Sequence, residues 1–435
     1  MACAEGSQPL VVVVGGGLSG LIAAVLLEEE GQPVWLVEAR DTLGGRLHAG
    51  EPVGAGSPHL LDLGAAWIWP RSNPRLAHWL ALLALPLFEQ HSAGAGLREL
   101  PNQQVRRLPT SGGSADGRMR VVGGTAALVA ALHGRLVRSR VSLGTRLVAL
   151  RPGETTDGGA GGADAAEVGD SSGGGTAAGG ITAGRNASGG SGAAGATDGL
   201  SLTLEVAGQL QQVHAAAVIS TLTPRQLATA VAWSPALPPA LAARWLAAPT
   251  WMAAQAKFMA WYAQPFWRSD GLSGSASSQP FWRSHGPSGS DSSQAGPLAE
   301  VYDAGDAHGG VAALFGFAGL PHQARAQLGE AELKERCLAQ LVRLFGPQAA
   351  TPERVWLQDW ATEVFTATRA DLDAPPEHPD VLAHDLPAPW QGRLHLAGSE
   401  FASEDPGYLE GAVQAAERAV KGVLGSRATG QCKVA

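Results

Sequence analysis

The sequence predicts an α/β protein of two domains, one of which contains a parallel sheet and is assembled from separate stretches of the chain. A continuous run of valines at 11–14 is typical of a strand buried on both faces. Helical sequence follows at 18–30 and an apolar strand at 34–37, so the chain begins with a βαβ unit. Strands predicted at 217–220 and 393–397 also precede helical sequence, which favours a doubly wound arrangement.

Composition excludes several classes of function. The formal net charge is −8, with no block of lysine or arginine, so neither nucleic acid nor an anionic membrane is an expected partner. Cys3, Cys337 and Cys432 are too few and too widely spaced for a disulfide framework or a zinc site, and no metal is expected. Neither a leader segment nor an apolar run of about 18 residues is seen, which predicts a cytoplasmic protein without a transmembrane anchor. The final residues formally fit a prenylation box, which we interpret as a chance match because no polybasic stretch precedes it.

Two low-complexity features interrupt the pattern. Residues 151–200 include 17 glycines and few apolar side chains, so we expect 152–199 to be a disordered insertion in a hairpin loop between strands at 147–150 and 202–206. The second feature is a tandem repeat of fifteen residues, at 264–278 and 279–293. A single duplication is too short for a repeat architecture and is best explained as a lengthened loop.

A glycine motif joins the first strand to the first helix. Gly15, Gly17 and Gly20 form G-x-G-x-x-G, in which they permit a tight turn, backbone approach to a pyrophosphate, and close packing of helix on strand. The helix begins at Leu18 and Ser19, where free N–H groups and the positive end of the helix dipole favour phosphate. The context of strand, glycine motif and helix predicts a dinucleotide site.

An acidic residue and a second glycine motif follow the second strand. Glu38 lies 18 residues after Gly20, where a carboxylate can accept hydrogen bonds from ribose hydroxyls. The sequence from there resembles the E-A-R-x-x-x-G-G-R motif of the flavin amine oxidase and desaturase superfamily, with Glu38, Ala39, Arg40, Gly44, Gly45 and Arg46. Two arginines also suit two phosphates, although surface salt bridges are an alternative role. The resemblance implies that the dinucleotide is FAD.

The resemblance extends over nearly the whole chain. Residues 62–70 resemble the family's D-L-G-A-x-W segment, which lines the flavin, and residues 120–124 resemble its R-x-x-G-G turn. Residues 396–400 and 407–412 resemble A-G-T-E…G-Y-x-E-G-A, in which Glu400 would meet the ribityl hydroxyls. The remaining cofactor contacts that the resemblance implies are Leu147, at the adenine, and Gly64, Ala65, Trp67, Trp360, Gly398, Gly407 and Leu409.

Two residues are candidates for catalysis. Lys257, followed by P-F-W-R at 265–268, matches the family's strand lysine, which reaches flavin N5 through a water and could stabilise negative charge during oxygen reduction. The alternative is an edge lysine whose stem extends to water. Tyr408 matches one wall of the family's aromatic cage for the amine, and the helix starting there would direct its N-terminus at the flavin. Its alternative role is packing at the start of that helix.

Departures from the family pattern qualify these predictions. Residues 366–371 contain neither the cysteine that tethers flavin in monoamine oxidases nor a cage tyrosine, so FAD is expected to bind non-covalently. Trp360, Phe365 or Trp69 could supply the second wall of the cage. The stretch between Pro70 and Val121 is also shorter than in monoamine oxidases, which predicts a smaller or more open active site.

The predicted function is FAD-dependent oxidation of a small amine to an imine, with oxygen as acceptor and peroxide as product. A flavin desaturase or dehydrogenase that does not use oxygen is one alternative, and a catalytically silent FAD-binding protein is another. The expected fold is a discontinuous Rossmann-like FAD-binding domain with a second domain of mixed sheet and helices. The FAD-binding parts are expected at 1–75, 119–232 and 385–425, a short helical part of the substrate domain at 76–118, its main part at 233–384, and a tail at 426–435.

Overall fold

The structure, a computed structural model, describes residues 9–51, 60–110, 117–153, 199–278, 296–373 and 377–431. The predictions made for the glycine-rich insertion, the second repeat copy and Cys432 concern residues outside these ranges. The α-helices of the described part are α1 (Leu18–Glu29), α2 (Pro74–Leu82), α3 (Thr125–Gly134), α4 (Pro224–Thr229), α5 (Pro239–Ala247), α6 (Phe266–Ser269), α7 (His322–Leu328), α8 (Glu330–Phe345), α9 (Arg369–Asp373) and α10 (Leu409–Gln431).

The strands form three larger sheets, of five, four and seven strands, and one two-stranded ribbon. Those of the N-terminal half are β1 (Val11–Val14), β2 (Val34–Val37), β3 (Leu87–Glu89), β4 (Ala95–Glu99), β5 (Val105–Thr110), β6 (Met119–Val121), β7 (Arg140–Ser142), β8 (Thr145–Pro152) and β9 (Leu200–Val206). The others are β10 (Gln209–Ala215), β11 (Ala217–Ser220), β12 (Ala232–Trp233), β13 (Ala256–Tyr262), β14 (Leu272–Ser277), β15 (Leu298–Asp303), β16 (Ala312–Ala318), β17 (Arg354–Asp359) and β18 (Leu394–Leu396).

A five-stranded parallel sheet of order β18-β11-β1-β2-β7 forms the centre of the first domain. The predicted strands at 11–14, 34–37 and 217–220 are confirmed at their exact bounds, and the α/β class is confirmed. Alternate valines of β1 enter two different cores, because successive side chains of a strand point to opposite faces. Val11 and Val13 pack with α1, α3 and α10, whereas Val12 and Val14 pack toward β8 and β9.

The glycine-rich insertion interrupts a four-stranded sheet of order β10-β9-β8-β12. β8 and β9 pair antiparallel, as predicted for the strands on either side of the insertion. The two ends of the insertion lie side by side, since the Gly153 N–H donates to the Gly199 carbonyl at 2.7 Å. The insertion therefore begins and ends at the tip of one hairpin.

The second domain contains a seven-stranded sheet of order β17-β13-β16-β15-β14-β4-β5. One face packs on α8, through Phe258 and Leu341 among others. The opposite face carries Lys257, Met259 and Phe315 and is turned toward the parallel sheet. The first repeat copy contributes α6 and β14 to this domain.

The prediction of a helical segment at 76–118 is wrong for most of that stretch. Helix α2 ends at Leu82, Ala84 adopts a positive φ of 53°, and Pro86 cannot continue a helix. The rest forms β3, β4 and β5, and β4 gains its pairing from β14 of the second domain. No helix in the described ranges has both the length and the apolar character that crossing a membrane requires.

Candidate cofactor and active site

The carboxyl ends of three parallel strands border one large cavity, the position at which open α/β sheets commonly bind ligands. Its volume is about 1060 Å³, just above the range of about 300–1,000 Å³ typical of ligand sites. Val14, Val37 and Thr221 line one end, at the parallel sheet. The other end is lined by side chains of the seven-stranded sheet, including Lys257, Tyr302, Phe315 and Phe317.

The glycine motif shapes the end of the cavity at the parallel sheet. Gly15 has a φ of +100°, and its N–H donates to the Val37 carbonyl at 2.8 Å. A Cβ on Gly20 would lie 1.8 Å from the Gly15 carbonyl oxygen, so only glycine lets α1 approach β1 this closely. Gly15 and Gly17 face the cavity, whereas Gly20 packs behind it.

Glu38 is buried at the end of β2 and lines the cavity. Its carboxylate accepts hydrogen bonds from the N–H groups of Gly16 at 2.6 Å and Arg40 at 2.9 Å. These bonds fix the carboxylate, and each oxygen keeps a second lone pair for a further donor. The arrangement suits recognition of ribose hydroxyls.

Arg40 and Arg46 both line the cavity, and each is held by a carboxylate from a distant part of the chain. Arg40 bonds to Glu363 at 2.9 Å, and Arg46 bonds to Glu400 at 2.7 Å. Glu400 is fully buried and does not line the cavity, and its predicted contact with a ribityl chain stays a prediction. Its observed role is to orient Arg46.

The structure brings together nearly all residues predicted for the site. Gly20, Gly398 and Glu400 are the exceptions, because they pack behind the wall. The predicted residues that line the cavity are Gly15, Gly17, Leu18, Ser19, Glu38, Ala39, Arg40, Gly44, Gly45, Arg46, Gly64, Ala65, Trp67, Leu147, Lys257, Trp360, Gly407, Tyr408 and Leu409.

Lys257 is buried on an interior strand, because β13 lies between β16 and β17. The alternative of an edge lysine that extends to water is therefore wrong. The Nζ atom donates to the Gly64 carbonyl at 3.0 Å and lies 4.3 Å from the centre of the Phe315 ring. Burial lowers the pKa of Lys257 to about 7, with Asp62 opposing this change and Arg120 adding to it. Both protonation states are thus accessible near neutral pH.

The P-F-W-R segment that follows Lys257 has a structural role. The Trp267 indole N–H donates to Asp303 at 2.8 Å, and the Arg268 guanidinium forms two bonds to the same buried carboxylate. This cluster fixes the end of β15, the strand that carries Tyr302 into the cavity.

Three aromatic rings in mutual contact, Trp251, His378 and Tyr408, form an aromatic wall of the cavity. Tyr408 packs against His378, with ring centroids 5.0 Å apart, and His378 stacks on Trp251 at 3.4 Å. The Tyr408 hydroxyl and the His378 Nε2 atom are 2.9 Å apart. Gly407, with a φ of +84°, permits this wall, since a Cβ there would lie 2.7 Å from the Trp251 Cβ.

The rings that contact Tyr408 in the aromatic wall are residues that the sequence did not indicate. Trp360, Phe365 and Trp69 do line the cavity, but the ring contacts of Tyr408 are with Trp251 and His378. Both of these residues lie outside regular strands and helices, so no periodicity marked them. Phe315 and Phe317 were also missed, although their i, i+2 spacing places both on the face that carries Lys257.

The donor set fits an elongated dinucleotide with an aromatic end group. Backbone N–H groups at the start of α1 and two guanidinium groups suit a pyrophosphate, and the far end of the cavity is aromatic. Within the described ranges, no cluster of three or more His, Cys, Asp or Glu side chains could hold a metal ion. The residues present therefore fit FAD.

Comparisons with known proteins agree with this geometry. Curated relatives include amine oxidase [flavin-containing] B of Sus scrofa, 31% identical over 39% of this chain and 30% of that protein, and an L-amino acid dehydrogenase of Synechocystis sp., 28% identical over 47% and 40%. The chain thus aligns with two fifths or less of the length of these relatives. An amine oxidase [flavin-containing] of Oncorhynchus mykiss is 24% identical over 95% of this chain and 85% of that protein.

Solved structures and family models extend the comparison. Cyclohexylamine oxidase from Brevibacterium oxydans has the same fold, with a TM-score of 0.68, 17% identity, and coverage of 97% of this chain and 100% of that one. Putrescine oxidase gives a TM-score of 0.64, 19% identity, and coverage of 96% and 99%. An NAD(P)-binding Rossmann-like domain model matches residues 13–83. The model of the flavin containing amine oxidoreductases matches residues 196–424, just over half of the chain, which therefore belongs to that family.

Proposed function

We propose that the protein binds FAD non-covalently and oxidises a small amine to an imine, with oxygen as the electron acceptor. The observation that carries the proposal is one cavity that is lined by the glycine motif at α1, by a buried lysine and by an aromatic wall. Family membership implies a flavin. Names of relatives that oxidise amines, including putrescine and cyclohexylamine oxidases, support the substrate class.

Cofactor binding follows from the residues at the sheet end. The N–H groups that begin α1 and the guanidinium groups of Arg40 and Arg46 would hold the pyrophosphate, and Glu38 would accept hydrogen bonds from the ribose. The free cysteine of the described residues, Cys337, is buried in the core of the seven-stranded sheet and does not line the cavity. Non-covalent binding is consistent with this position.

The other end would orient the substrate and assist the acceptor. When bound, FAD supplies the chemistry that takes a hydride equivalent from the amine and passes the electrons on. Tyr408 and Trp251 would present aromatic surface that holds the amine in the cavity. Lys257 can donate a proton where negative charge develops on oxygen. Its pKa of about 7 makes the ammonium a stronger acid than an ordinary lysine and still leaves a large protonated fraction at neutral pH.

Stopped-flow spectroscopy tests this proposal. The purified protein should be yellow, and a panel of primary amines should bleach the flavin absorbance under anaerobic conditions. Lys257→Met should preserve the rate of bleaching and slow reoxidation by oxygen by about 100-fold, in the range typical of general acid catalysis. Lys334→Met, which removes a surface lysine of α8, is the matched control and should behave as wild type. The absence of bleaching with every amine would refute the amine assignment.

A second candidate is the same oxidation coupled to an acceptor other than oxygen. The relative named L-amino acid dehydrogenase favours it. In that case amines bleach the flavin and oxygen restores its colour only slowly in wild type. Lys257→Met then changes the rate of reoxidation little. A yellow protein that dithionite reduces but no amine reduces would instead support a silent flavoprotein.

A further inference from the structure

His378 is the one member of the aromatic wall that carries a titratable nitrogen, among the three rings Trp251, His378 and Tyr408. It is held on one face by the Trp251 indole, with an interplanar angle of 21°, and its Nε2 atom lies 2.9 Å from the Tyr408 hydroxyl. Both His378 and Tyr408 line the cavity, and both side chains are also partly exposed to solvent. The pair therefore connects the cavity interior with solvent.

The proposed reaction requires that the substrate lose a proton to solvent before it is oxidised. An aliphatic amine is mostly an ammonium ion at neutral pH, and only the neutral amine has the free electron pair that oxidation to an imine requires. Entry into an aromatic cavity disfavours the charged form, so the ammonium loses its proton readily there if an acceptor is within reach. Lys257 is a poor outlet to solvent, because it is buried on an interior strand and bonded to the Gly64 carbonyl.

We propose that Tyr408 and His378 form a proton relay that takes a proton from the bound substrate ammonium and delivers it to solvent. This inference rests on the proposed function, since it concerns the same amine. With Tyr408 donating to Nε2, the phenol oxygen keeps lone pairs for the ammonium N–H. The ammonium proton moves to that oxygen and leaves its electron pair on nitrogen, while the phenol proton moves to Nε2. The imidazolium then releases its Nδ1 proton to water, and exchange with water restores the starting tautomer.

The surroundings of His378 agree with this role. Partial burial lowers the pKa of its imidazole, so the ring is neutral and able to accept a proton at pH 7. Tyr408 is a titratable group in contact with His378, and burial together with Asp405 raises the pKa of its phenol, which keeps the phenol protonated. Glu377 and Asp380 flank the imidazole on its own segment.

The pH dependence of flavin reduction distinguishes a relay from a structural wall. In wild type the second-order rate constant of bleaching should be nearly flat between pH 7 and 9, because the abundant ammonium form binds and passes its proton to the relay faster than it dissociates, so that its capture limits the rate. In His378→Phe, which keeps an aromatic ring and removes the basic nitrogen, only the neutral amine reacts. The rate constant should then rise about tenfold per pH unit toward the pKa of the amine itself.

Further variants control for effects other than loss of the relay. Tyr408→Phe removes only the hydroxyl and should give the same slope as His378→Phe, and the double variant should add nothing further. His308→Phe, at an exposed histidine outside the cavity, should retain the flat profile. An equal loss at every pH, or a flat profile in both relay variants, would overturn the proposal.

A measurement without turnover separates the relay from the proposed oxidation. tert-Butylamine has no hydrogen on its α-carbon and cannot form an imine. Mixing it with the yellow holoprotein at pH 7 in weak buffer with an indicator dye should release a proton in a fast phase, which becomes at least about tenfold slower in His378→Phe. The absence of this phase in wild type would refute the relay. If the phase is present but no amine bleaches the flavin, the relay stands and the oxidase assignment fails.

Discussion

At the scale of single residues, glycines determine how closely the backbone segments around the cofactor cavity approach each other. A Cβ on Gly64 would lie 2.0 Å from the Arg46 carbonyl oxygen, and one on Gly20 would lie 1.8 Å from that of Gly15. Both obstacles are backbone atoms, which cannot rotate away as a side chain can. These positions therefore fix the shape of the cavity before any ligand contact is considered.

Gly20→Ala should destabilise the protein by about 3 kcal/mol, because α1 must move away from β1 to admit the methyl group. The same movement displaces the N–H groups that face the pyrophosphate, so flavin should be lost as well. Urea unfolding and flavin fluorescence after purification measure both effects. Gly134→Ala is the matched control, since a Cβ there meets nothing within 4 Å. An unchanged unfolding midpoint in Gly20→Ala would contradict this account.

At the scale of elements, local sequence predicted those strands and helices whose own pattern determines them. The valine run of β1 and the glycine-bounded α1 are recognisable without tertiary information. β4 and β5 are different, because residues 95–110 mix Arg, Glu and Gly and become strands through pairing with β14 and with each other. Non-local pairing of this kind leaves little trace in composition.

In the site, too, some residues were predictable from local sequence and others meet only through non-local contacts. The glycine motifs predicted the residues that would hold a dinucleotide, since each motif carries its own geometry. Trp251 and His378 lie in irregular segments and meet Tyr408 only in the folded protein. The carboxylate pairing of Arg46 with Glu400 was likewise invisible, because the two residues are 354 positions apart. Sequence motifs thus predicted the lining of the cavity near α1 better than its lining around Tyr408.

The β8–β9 hairpin predicts that the glycine-rich insertion is dispensable for folding. Because Gly153 and Gly199 are hydrogen-bonded, a two-residue Asn-Gly turn in place of residues 154–198 can close the same hairpin. We expect the melting temperature to change by less than about 5 °C and the flavin to remain bound. Differential scanning calorimetry and the absorption spectrum measure this. Loss of flavin would show that the insertion contributes to the site.

At the scale of the whole molecule, the cavity is shared by elements from both domains. Its walls come from the parallel sheet, the seven-stranded sheet and the segment around Trp360. A ligand that spans the cavity therefore contacts the two domains at once. Binding to the folded state alone stabilises it by mass action, by about 2.7 kcal/mol when free ligand is at 100 times its dissociation constant.

Removal of flavin should accordingly lower the melting temperature, and added FAD should restore it in proportion to the logarithm of its concentration. FMN lacks the adenylate half that Glu38 and Leu147 would contact, so it should restore little. Thermal unfolding of the apoprotein with each ligand measures the difference. Equal protection by FMN and FAD would show that the sheet end of the cavity does not bind a dinucleotide.

One bond near the glycine motif has a consequence for biosynthesis. The Ser19 hydroxyl, at the start of α1, donates to the Ala397 carbonyl at 2.5 Å, across 378 positions of the chain. During translation the first βαβ unit emerges early, β11 pairs with the open edge of β1 only about halfway along the chain, and β18 pairs with the open edge of β11 later still. An apolar strand edge, first of β1 and then of β11, is therefore unpaired in the nascent chain, and we expect chaperone occupancy to persist until β18 has emerged.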